Sequence, residues 1–250
     1  YKRQTLDPVE RAKVGQYAEN VYFGKPCGLM DQMGSSVGGA VAIDFADPAA
    51  PVVKKVEYDF TRSGHALCIV DTGADHADLT AEYAAIPQEM KAVAAYFGCE
   101  VLREVDESRI WADMPGLRKA VGDRAVLRAL HFFADDQRVA LEADALERGD
   151  FDAFLKVVQQ SGESSWMYLQ NIAPTGAVAE QAMAVALATA GHALKGRGAY
   201  RVHGGGFAGT IQAFVPLDML DEFKTTVESV LGTGSCHVLT VRAVGGAVVC

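Results

Sequence analysis

The segment 25–34 is the first stretch whose residue types and spacing could do chemistry. It reads Lys-Pro-Cys-Gly-Leu-Met-Asp-Gln-Met-Gly, so one carboxylate, Asp31, follows Gly28 and precedes a glycine- and serine-rich run at 34–39. Glycine lets the backbone approach a ligand closely, and a carboxylate nearby can accept a proton from a hydroxyl group. Asp31 is therefore a candidate base. The alternative is an acidic residue in the first turn of a helix, where it interacts with the helix dipole.

A second candidate segment lies far along the chain, at His203-Gly204-Gly205-Gly206-Phe207-Ala208-Gly209. Its glycines leave backbone N–H groups uncovered, which suits contact with phosphate. The segment matches neither the G-x-x-x-x-G-K-[S/T] phosphate loop nor the Rossmann glycine pattern with its later acidic residue. A tight turn between two elements is the alternative interpretation.

Other polar residues favour structural roles. Tyr83 stands near the start of a predicted helix, where tyrosines commonly pack with the hydroxyl at the surface. Asp75, His76 and Asp78 lack the spacing of metal ligands, so we predict a solvated loop there and no metal site. The segment 162–166, Gly-Glu-Ser-Ser-Trp, lacks the G-x-S-x-G pattern of a nucleophile and is expected to be a loop at a helix terminus.

Length and composition bound the class of protein. The 250 residues suffice for one large domain or two modest ones, and half of them are apolar. The formal net charge of −9 argues against a nucleic-acid partner or a polybasic membrane surface. No apolar run approaches the roughly 20 residues that cross a bilayer, so no membrane partner is expected.

The five cysteines are widely spaced and include no C-x-x-C pair. This pattern predicts reduced thiols in the cytoplasm and neither a disulfide framework nor a zinc site. The chain opens on Tyr1 within a polar, helix-like pattern, with no signal-peptide character. We expect it to be a piece of a longer protein.

The periodicity of apolar residues places the candidate segments on a mixture of helices and strands. Helices are predicted at 7–22, 30–36, 79–97, 123–147, 150–160, 175–190 and 218–231, with Pro87 expected to break or kink the third. Strands are predicted at 40–45, 52–60, 66–71, 199–202, 210–215 and 237–243. The order lacks strict βαβ alternation, which indicates an α+β fold.

With these residues in place, the chain resembles the galactokinases of the GHMP small-molecule kinase superfamily. The likeness to their central signature is carried by Ala18-Glu19-Asn20, by 24–32, and by Gly39-Ala40 with Ile43-Asp44. The segment 204–209 resembles the superfamily's third glycine motif, and Glu82-Tyr83 resembles a galactokinase Glu-Tyr pair.

The resemblance implies an enzyme that transfers the γ-phosphoryl group of Mg-ATP to the anomeric hydroxyl of galactose. It implies that Asp31 is the catalytic aspartate, that Gly28 contacts the sugar through its backbone, and that Tyr83 hydrogen-bonds a sugar hydroxyl. ATP and Mg²⁺ are the implied cofactors, with no residue assigned as a metal ligand. The glycines implied to lie near the ATP phosphates are Gly204, Gly205, Gly206 and Gly209.

The resemblance also implies a division of the chain. Residues 1–62 would be a remnant of the N-terminal GHMP kinase domain that carries the catalytic aspartate, and residues 63–250 a ferredoxin-like C-terminal domain. The family's N-terminal sugar signature and its Gly-Leu-Ser-Ser-Ser phosphate loop do not occur in this sequence. We therefore expect the polypeptide to be inactive by itself, with the N-terminal part of the same protein completing the site.

Two departures from the family pattern keep alternatives open. Ala85, Ile86 and Pro87 stand where family members usually carry arginines, so the substrate could be another sugar, such as an N-acetylhexosamine or arabinose, or another small molecule. A non-catalytic, sugar-sensing relative is the other alternative. Ala208 stands at a usual glycine; if that position needs a positive φ, the substitution costs on the order of 1 kcal/mol.

Overall fold

A computed structural model of the chain describes residues 6–24, 27–74 and 79–247. The predictions that fall on Lys25, Pro26 and the Asp75, His76 and Asp78 cluster lie outside the described residues. The chain divides into two compact units. The first comprises Tyr1–Ser63, Ala143–Asp150 and Thr240–Cys250, and the second comprises Gly64–Glu142 and Phe151–Leu239.

The first unit pairs two helices with a two-stranded sheet. Helix α1 (Pro8–Tyr17) begins where the Asp7 carboxylate accepts the N–H of Val9 at 2.9 Å, and it continues as a wider π-helical turn, Ala18–Phe23. Helix α2 spans Met30–Val37, and strand β1 (Ala40–Asp44) pairs antiparallel with β2 (Val52–Val56). A small core of Ala12, Leu29 and Met33 joins α1 to α2.

The periodic apolar residues that predict α1 do not all pack inward. Ala12 is buried, whereas Val14, Tyr17 and Val21 are more than half exposed. The helix therefore presents an apolar stripe on the face opposite its core contacts.

The second unit contains a four-stranded antiparallel sheet. Its strands are β3 (His65–Asp71), β4 (Ala199–Val202), β5 (Thr210–Pro216) and β6 (Cys236–Leu239), in the spatial order β4-β5-β3-β6. Helices separate β3 from β4 and β5 from β6, so the chain follows a βαββαβ path with the two central strands β3 and β5 antiparallel. This order confirms the ferredoxin-like arrangement.

Seven helices accompany this sheet among the described residues. They are α3 (Thr80–Tyr96), α4 (Glu107–Ala112), α5 (Met114–Val121), α6 (Asp123–Glu147), α7 (Phe151–Ser164), α8 (Ala182–Leu194) and α9 (Leu220–Leu231). The last residues of α6 belong to the first unit.

Both faces of the sheet are covered. On one face, α8 and α9 bury the alternate strand residues Cys68, Val70, Ile211 and Ala213. On the other face, Phe214 of β5 meets the rings of Phe151 and Phe154 from α7 at centroid distances of 5.8 and 5.4 Å. A sheet covered on both faces explains why the second half of β5, residues 213–216, is apolar and buried at every position.

A close approach fixes α7 against the edge strand β4. A Cβ atom at Gly162 would lie 2.7 Å from the Cβ of Arg201, so only glycine fits at that helix position. The contact places the Arg201 side chain over α7, where its Nη1 donates to Ser161 Oγ at 2.6 Å.

Helices α3 to α6 form a separate apolar cluster within the second unit. Val93, Ile110, Leu117 and Ala129 are fully buried in it. Pro87 lies inside α3 without ending the helix, so of the expected break or kink the break does not occur.

Other boundaries also differ from the sequence predictions. The helix predicted at 175–190 begins only at Ala182, and the strand predicted at 237–243 ends at Leu239. The strand predicted at 52–60 ends at Val56, and α4 and α5 were not predicted. No helix in the described ranges combines the length and apolar character that a membrane span requires.

Candidate active-site segments

The first segment contains Gly28 and Asp31, both exposed and both in the first unit. Asp31 lies in the first turn of α2, and within the described ranges its carboxylate accepts no hydrogen bond. Among the described residues other than its two chain neighbours, no atom lies within 4 Å of the position that a Cβ of Gly28 would occupy. The segment thus offers an accessible carboxylate beside open backbone, at the positive end of a helix dipole.

The backbone ahead of α2 is held by side chains from the preceding helical segment. Asn20 Oδ1 accepts the N–H of Cys27 at 2.8 Å, and Gln16 Nε2 donates to the Cys27 carbonyl at 3.2 Å. Gln32 Nε2 lies 3.3 Å from Cys27 Sγ. Asn20 therefore fixes the turn that leads to Gly28.

Helix α2 is also anchored at its far end. Ser36 Oγ donates to the Pro8 carbonyl at 2.6 Å, and its own carbonyl accepts the N–H of Gly246 at 3.1 Å. Met33, one turn after the start of the helix, is fully buried. These contacts fix the axis of α2 and with it the backbone that carries Asp31.

The glycine loop, residues 204–209, joins β4 to β5 in the second unit. Gly204, Gly206 and Gly209 adopt positive φ angles of 72°, 85° and 85°. Phe207 does so too, at 62°, whereas Ala208 does not. The strain anticipated at Ala208 is therefore absent, and the left-handed side chain in this loop is Phe207.

Tyr83 contacts this loop directly. Its hydroxyl donates to the Gly206 carbonyl at 2.8 Å, and its ring packs edge-on against Phe207 with centroids 5.5 Å apart. A Cβ at Gly205 would lie 2.8 Å from the Tyr83 ring. Burial raises the pKa of the Tyr83 hydroxyl above its usual value, so it stays protonated as a donor.

Asn171, which the sequence reasoning did not identify, also contacts the loop. It is 2% exposed, its Nδ2 donates to the Gly205 carbonyl at 3.1 Å, and its carbonyl accepts the Phe207 N–H at 2.6 Å. The preceding Gln170 has a positive φ of 56°, which ends the π-helical turn Ser165–Leu169 and directs Asn171 toward the loop.

An ion-pair network supports the segment that contains Asn171. Arg128 is completely buried, with Nη1 2.9 Å from Glu89 Oε2 and Nε donating to the Leu169 carbonyl at 3.1 Å. Arg124 also binds Glu89 and donates to Thr175 Oγ1 at 2.8 Å. Burial lowers the pKa of Arg128, whereas the hydrogen bond to Glu89 raises that of Arg124.

Glu82 completes the same support. Its Oε1 accepts the N–H of Thr175 at 2.7 Å and its Oε2 accepts the Thr175 hydroxyl at 3.1 Å. The Glu82-Tyr83 pair therefore fastens two backbone segments, with Glu82 holding residue 175 and Tyr83 holding the glycine loop.

A second polar cluster lies between α6, α7 and β4. His131 Nδ1 is 2.9 Å from Ser164 Oγ, and Ser161 Oγ donates to Asp135 Oδ1 at 2.6 Å. Burial lowers the pKa of His131 and keeps the ring neutral. Ser164 is 1% exposed within α7, so this serine is closed to any substrate, and the loop expected at 162–166 is helical instead.

The structure thus groups the predicted site residues in two sets. Gly28 and Asp31 lie together in the first unit, while Tyr83 and the glycine loop lie together in the second. Within the described ranges, no three His, Cys, Asp or Glu side chains are placed to hold a metal ion.

Comparison with known proteins adds sequence relatives. No protein-family model matches the chain. It is 30% identical to the galactokinase of Mannheimia succiniciproducens over 224 residues, covering 89% of this chain and 55% of that protein. It is 31% identical to the galactokinase of Mycobacterium tuberculosis over 229 residues, covering 89% of this chain and 58% of the relative.

Solved structures share the fold. The Lactococcus lactis galactokinase, complexed with galactose, matches 97% of this chain and 61% of its own with a TM-score of 0.71 at 22% identity. The L. major mevalonate kinase, complexed with R-mevalonate, covers 97% of this chain and 60% of its own with a TM-score of 0.59 at 12% identity.

The chain spans a little over half the length of the curated relatives that it matches. The sequence likeness to galactokinases nevertheless extends over most of this chain, and the mixed helix and sheet architecture agrees with it. This chain is thus similar in sequence to galactokinases over 89% of its length, and its fold is that of the solved galactokinase and mevalonate kinase structures.

Proposed function

We propose that the chain is the C-terminal portion of a cytoplasmic sugar kinase that transfers the γ-phosphoryl group of Mg-ATP to the anomeric hydroxyl of galactose. The observation that carries the proposal is the accessible carboxylate of Asp31, on a backbone segment fixed by Asn20, in a chain homologous to galactokinases. The share of each relative that is covered is consistent with a C-terminal portion.

Asp31 is the proposed base. Phosphoryl transfer depends mainly on positioning and charge stabilisation, so the carboxylate orients the sugar hydroxyl and accepts its proton as the hydroxyl attacks. The open backbone at Gly28 lets the sugar approach the main chain beside this carboxylate.

Tyr83 is proposed to contact the sugar as well. Its hydroxyl hydrogen is directed to the Gly206 carbonyl, and a phenolic oxygen that donates one hydrogen bond still has lone pairs to accept another. A sugar hydroxyl would therefore act as the donor in this contact. The two roles of Tyr83 are compatible.

The glycine loop is proposed to lie near the phosphates of ATP. The N–H groups of Gly204 and Gly205 donate to no acceptor in the part of the chain that the structure describes, and both residues are exposed. Free backbone N–H groups fit an anionic phosphate. Bound Mg²⁺ would supply charge neutralisation of the phosphates, while this chain supplies amide donors.

By itself the 250-residue chain is proposed to be inactive or nearly so. It contains no Gly-Leu-Ser-Ser-Ser phosphate loop, and without the main cradle the nucleotide lacks most of its positioning. The N-terminal part of the same protein would complete the site. Robust ATP turnover by this chain alone would contradict this part of the proposal.

One observation favours a substrate other than galactose. Ala85, Ile86 and Pro87 offer no charged group on α3, and Ile86 packs against the buried Phe207 and Ala208 of the glycine loop. The absence of arginines at these three positions would suit a sugar other than galactose, such as an N-acetylhexosamine or arabinose. Another small-molecule substrate of the GHMP kinases is compatible with the same three residues.

The test is ATP-dependent phosphorylation of a panel of free sugars by the full-length protein and its Asp31→Asn variant. Asp47→Asn is the matched control, because Asp47 is an exposed aspartate of the same unit that caps a turn. We expect activity on galactose that falls about 10³-fold in Asp31→Asn and stays unchanged in Asp47→Asn.

The other outcomes are equally informative. Phosphorylation of a different sugar, still dependent on Asp31, would retain the mechanism and replace galactose. Binding of galactose without turnover of any sugar would overturn the kinase proposal in favour of a sugar-sensing relative.

A further inference from the structure

The glycine loop is held from behind by two side chains that come from distant parts of the chain. Asn171 donates to the Gly205 carbonyl and Tyr83 donates to the Gly206 carbonyl, so two consecutive carbonyls are tied to the protein. Neither contact belongs to the loop itself.

Asn171 makes the more extensive contact. Its side chain binds residue 205, its carbonyl binds the N–H of residue 207, and a Cβ at Gly206 would overlap its carbonyl oxygen. It thus touches three successive residues of the loop while being 2% exposed itself. A buried residue that is held through both its side chain and its main chain has little freedom to move.

These contacts determine the direction of the loop's amides. The peptide bonds of the described residues are trans, and in a trans peptide the C=O and the following N–H point in opposite directions. Tying the Gly205 carbonyl to Asn171 therefore aims the N–H of Gly206 away from Asn171. That N–H has no acceptor among the residues that the structure describes.

We propose that Asn171 is a positioning residue that sets the phosphate-binding conformation of the glycine loop, with Tyr83 as its partner. The inference rests on the proposed phosphate role of the loop. Asn171 touches no substrate; it acts by holding the Gly205 carbonyl and the Phe207 N–H.

The test is backbone amide NMR and hydrogen exchange of residues 204–208 in the full-length protein and its Asn171→Asp variant. This substitution keeps the shape and the main-chain carbonyl but replaces the Nδ2 donor by an oxygen. Gln181→Glu is the matched control, because Gln181 is an exposed amide whose Nε2 donates to the Ala177 carbonyl.

In Asn171→Asp at pH 8, the Nδ2 hydrogen bond to the Gly205 carbonyl is lost while the main-chain bond to the Phe207 N–H is kept. We expect the Phe207 amide to exchange about tenfold faster, because the loop is then held by one hydrogen bond fewer and opens more often. We expect Gln181→Glu to leave that rate unchanged. Burial beside the Gly205 carbonyl disfavours the charged form of the introduced carboxyl, so this group gains a proton as the pH is lowered and can donate to that carbonyl again. The amide shifts should then return toward the wild-type values. A residue that acts by packing alone would give no such recovery.

A second arm titrates the full-length protein with Mg-ATP, because the 250-residue chain lacks the Gly-Leu-Ser-Ser-Ser loop, and follows the same amides. Shifts at 204–206 in the wild type that weaken at least fivefold in Asn171→Asp would support the phosphate-binding conformation. A full-length wild-type protein whose loop amides do not respond to Mg-ATP would refute the phosphate role of the loop. Unchanged amide exchange in Asn171→Asp, with or without a response to ATP, would refute the positioning role of Asn171.

Discussion

The carboxyl of Glu142 should make the stability of the second unit depend on pH. Glu142 lies on α6 on the same face as His131, Asp135 and Arg138, and burial raises its pKa from 4.5 to about 7. The charge of Arg201 opposes this shift and that of Asp135 adds to it.

The direction of the pH dependence follows from the difference in proton binding between the folded and the unfolded chain. The unfolded chain loses the Glu142 proton near pH 4.5 and the folded chain only near pH 7, so the unfolded state is favoured progressively as pH rises through this window. The stabilisation that Glu142 contributes is therefore fully present below pH 4.5 and is lost as the pH rises through about 7. At 1.36 kcal/mol per pKa unit, the whole window corresponds to about 3 kcal/mol, of which about 2 kcal/mol falls between pH 5 and 8.

The assay compares urea unfolding of the wild type and Glu142→Gln at pH 5, 6, 7 and 8, followed by tryptophan fluorescence. Both tryptophans, Trp111 and Trp166, lie in the second unit, so the signal follows that unit. Glutamine keeps the shape but cannot ionise. We expect the variant to gain about 2 kcal/mol of unfolding free energy relative to the wild type between pH 5 and pH 8.

The comparison with the variant isolates Glu142 from other titrating groups. His131 has a lowered pKa and acts in the opposite direction, since its contribution is lost as pH falls, but it is present in both proteins. Glu180→Gln removes an exposed carboxylate and should leave the pH dependence unchanged. A constant difference between Glu142→Gln and the wild type across this range would refute the reasoning.

Three further predictions concern backbone and packing. Gly206→Ala should lower the free energy of unfolding in urea by about 3 kcal/mol, because the new Cβ would be strained by the positive φ and would also overlap the Asn171 carbonyl. Gly204→Ala should lower it by about 1 kcal/mol, because Gly204 has a similar φ but no described atom near the position of the new Cβ. Arg128→Met should lower the free energy of unfolding by about 3 kcal/mol in the same assay, because Glu89 loses one of its ion-pair partners. The control is Arg103→Met, which removes an exposed ion pair. An effect of Arg128→Met no larger than that of the control would contradict this prediction. Asp7→Ala should make the first amides of α1 exchange about fivefold faster, and unchanged exchange would show that the cap contributes nothing.

Local signals in the sequence were sufficient for some elements. The Asp7 cap and Pro8 predict the start of α1, and the strong periodicity from Asp123 to Glu147 predicts α6 with its observed bounds. The glycine loop between two short strands was also predicted at its observed place. In each case the determining interactions lie within a few residues along the chain.

Long-range contacts decided the elements that were predicted wrongly. The segment 175–181 has helical composition, but Glu82 binds the backbone N–H of Thr175 from 93 positions away and holds it in a loop. Signals for α4 and α5 did exist, since Asp106 caps the Ser108 N–H and Pro115 stands in the first turn of α5.

The same limitation applies to the candidate site. Asp31 and the glycine loop can be identified in the sequence by residue type and spacing. Asn171 belongs to no recognisable pattern, and only the structure shows that its side chain contacts Gly205. The role of Ala208 also depended on a backbone angle, and the positive φ proved to be at Phe207. Positioning residues of this kind carry no local motif.

The strand order of the second unit has a consequence for how the protein folds during synthesis. The central strand β3 ends at Asp71, but its two neighbours, β5 and β6, begin only at Thr210 and Cys236. Because the central strand pairs with strands that lie more than 100 residues later in the sequence, the sheet is expected to form slowly. The cluster of α3 to α6 has its own core and emerges from the ribosome earlier, so it can assemble while β3 still lacks both partners. Until β5 and β6 have been synthesised, the apolar β3 is an unpaired strand that could pair with other chains. Binding of a chaperone at this stage would protect β3 from such pairing.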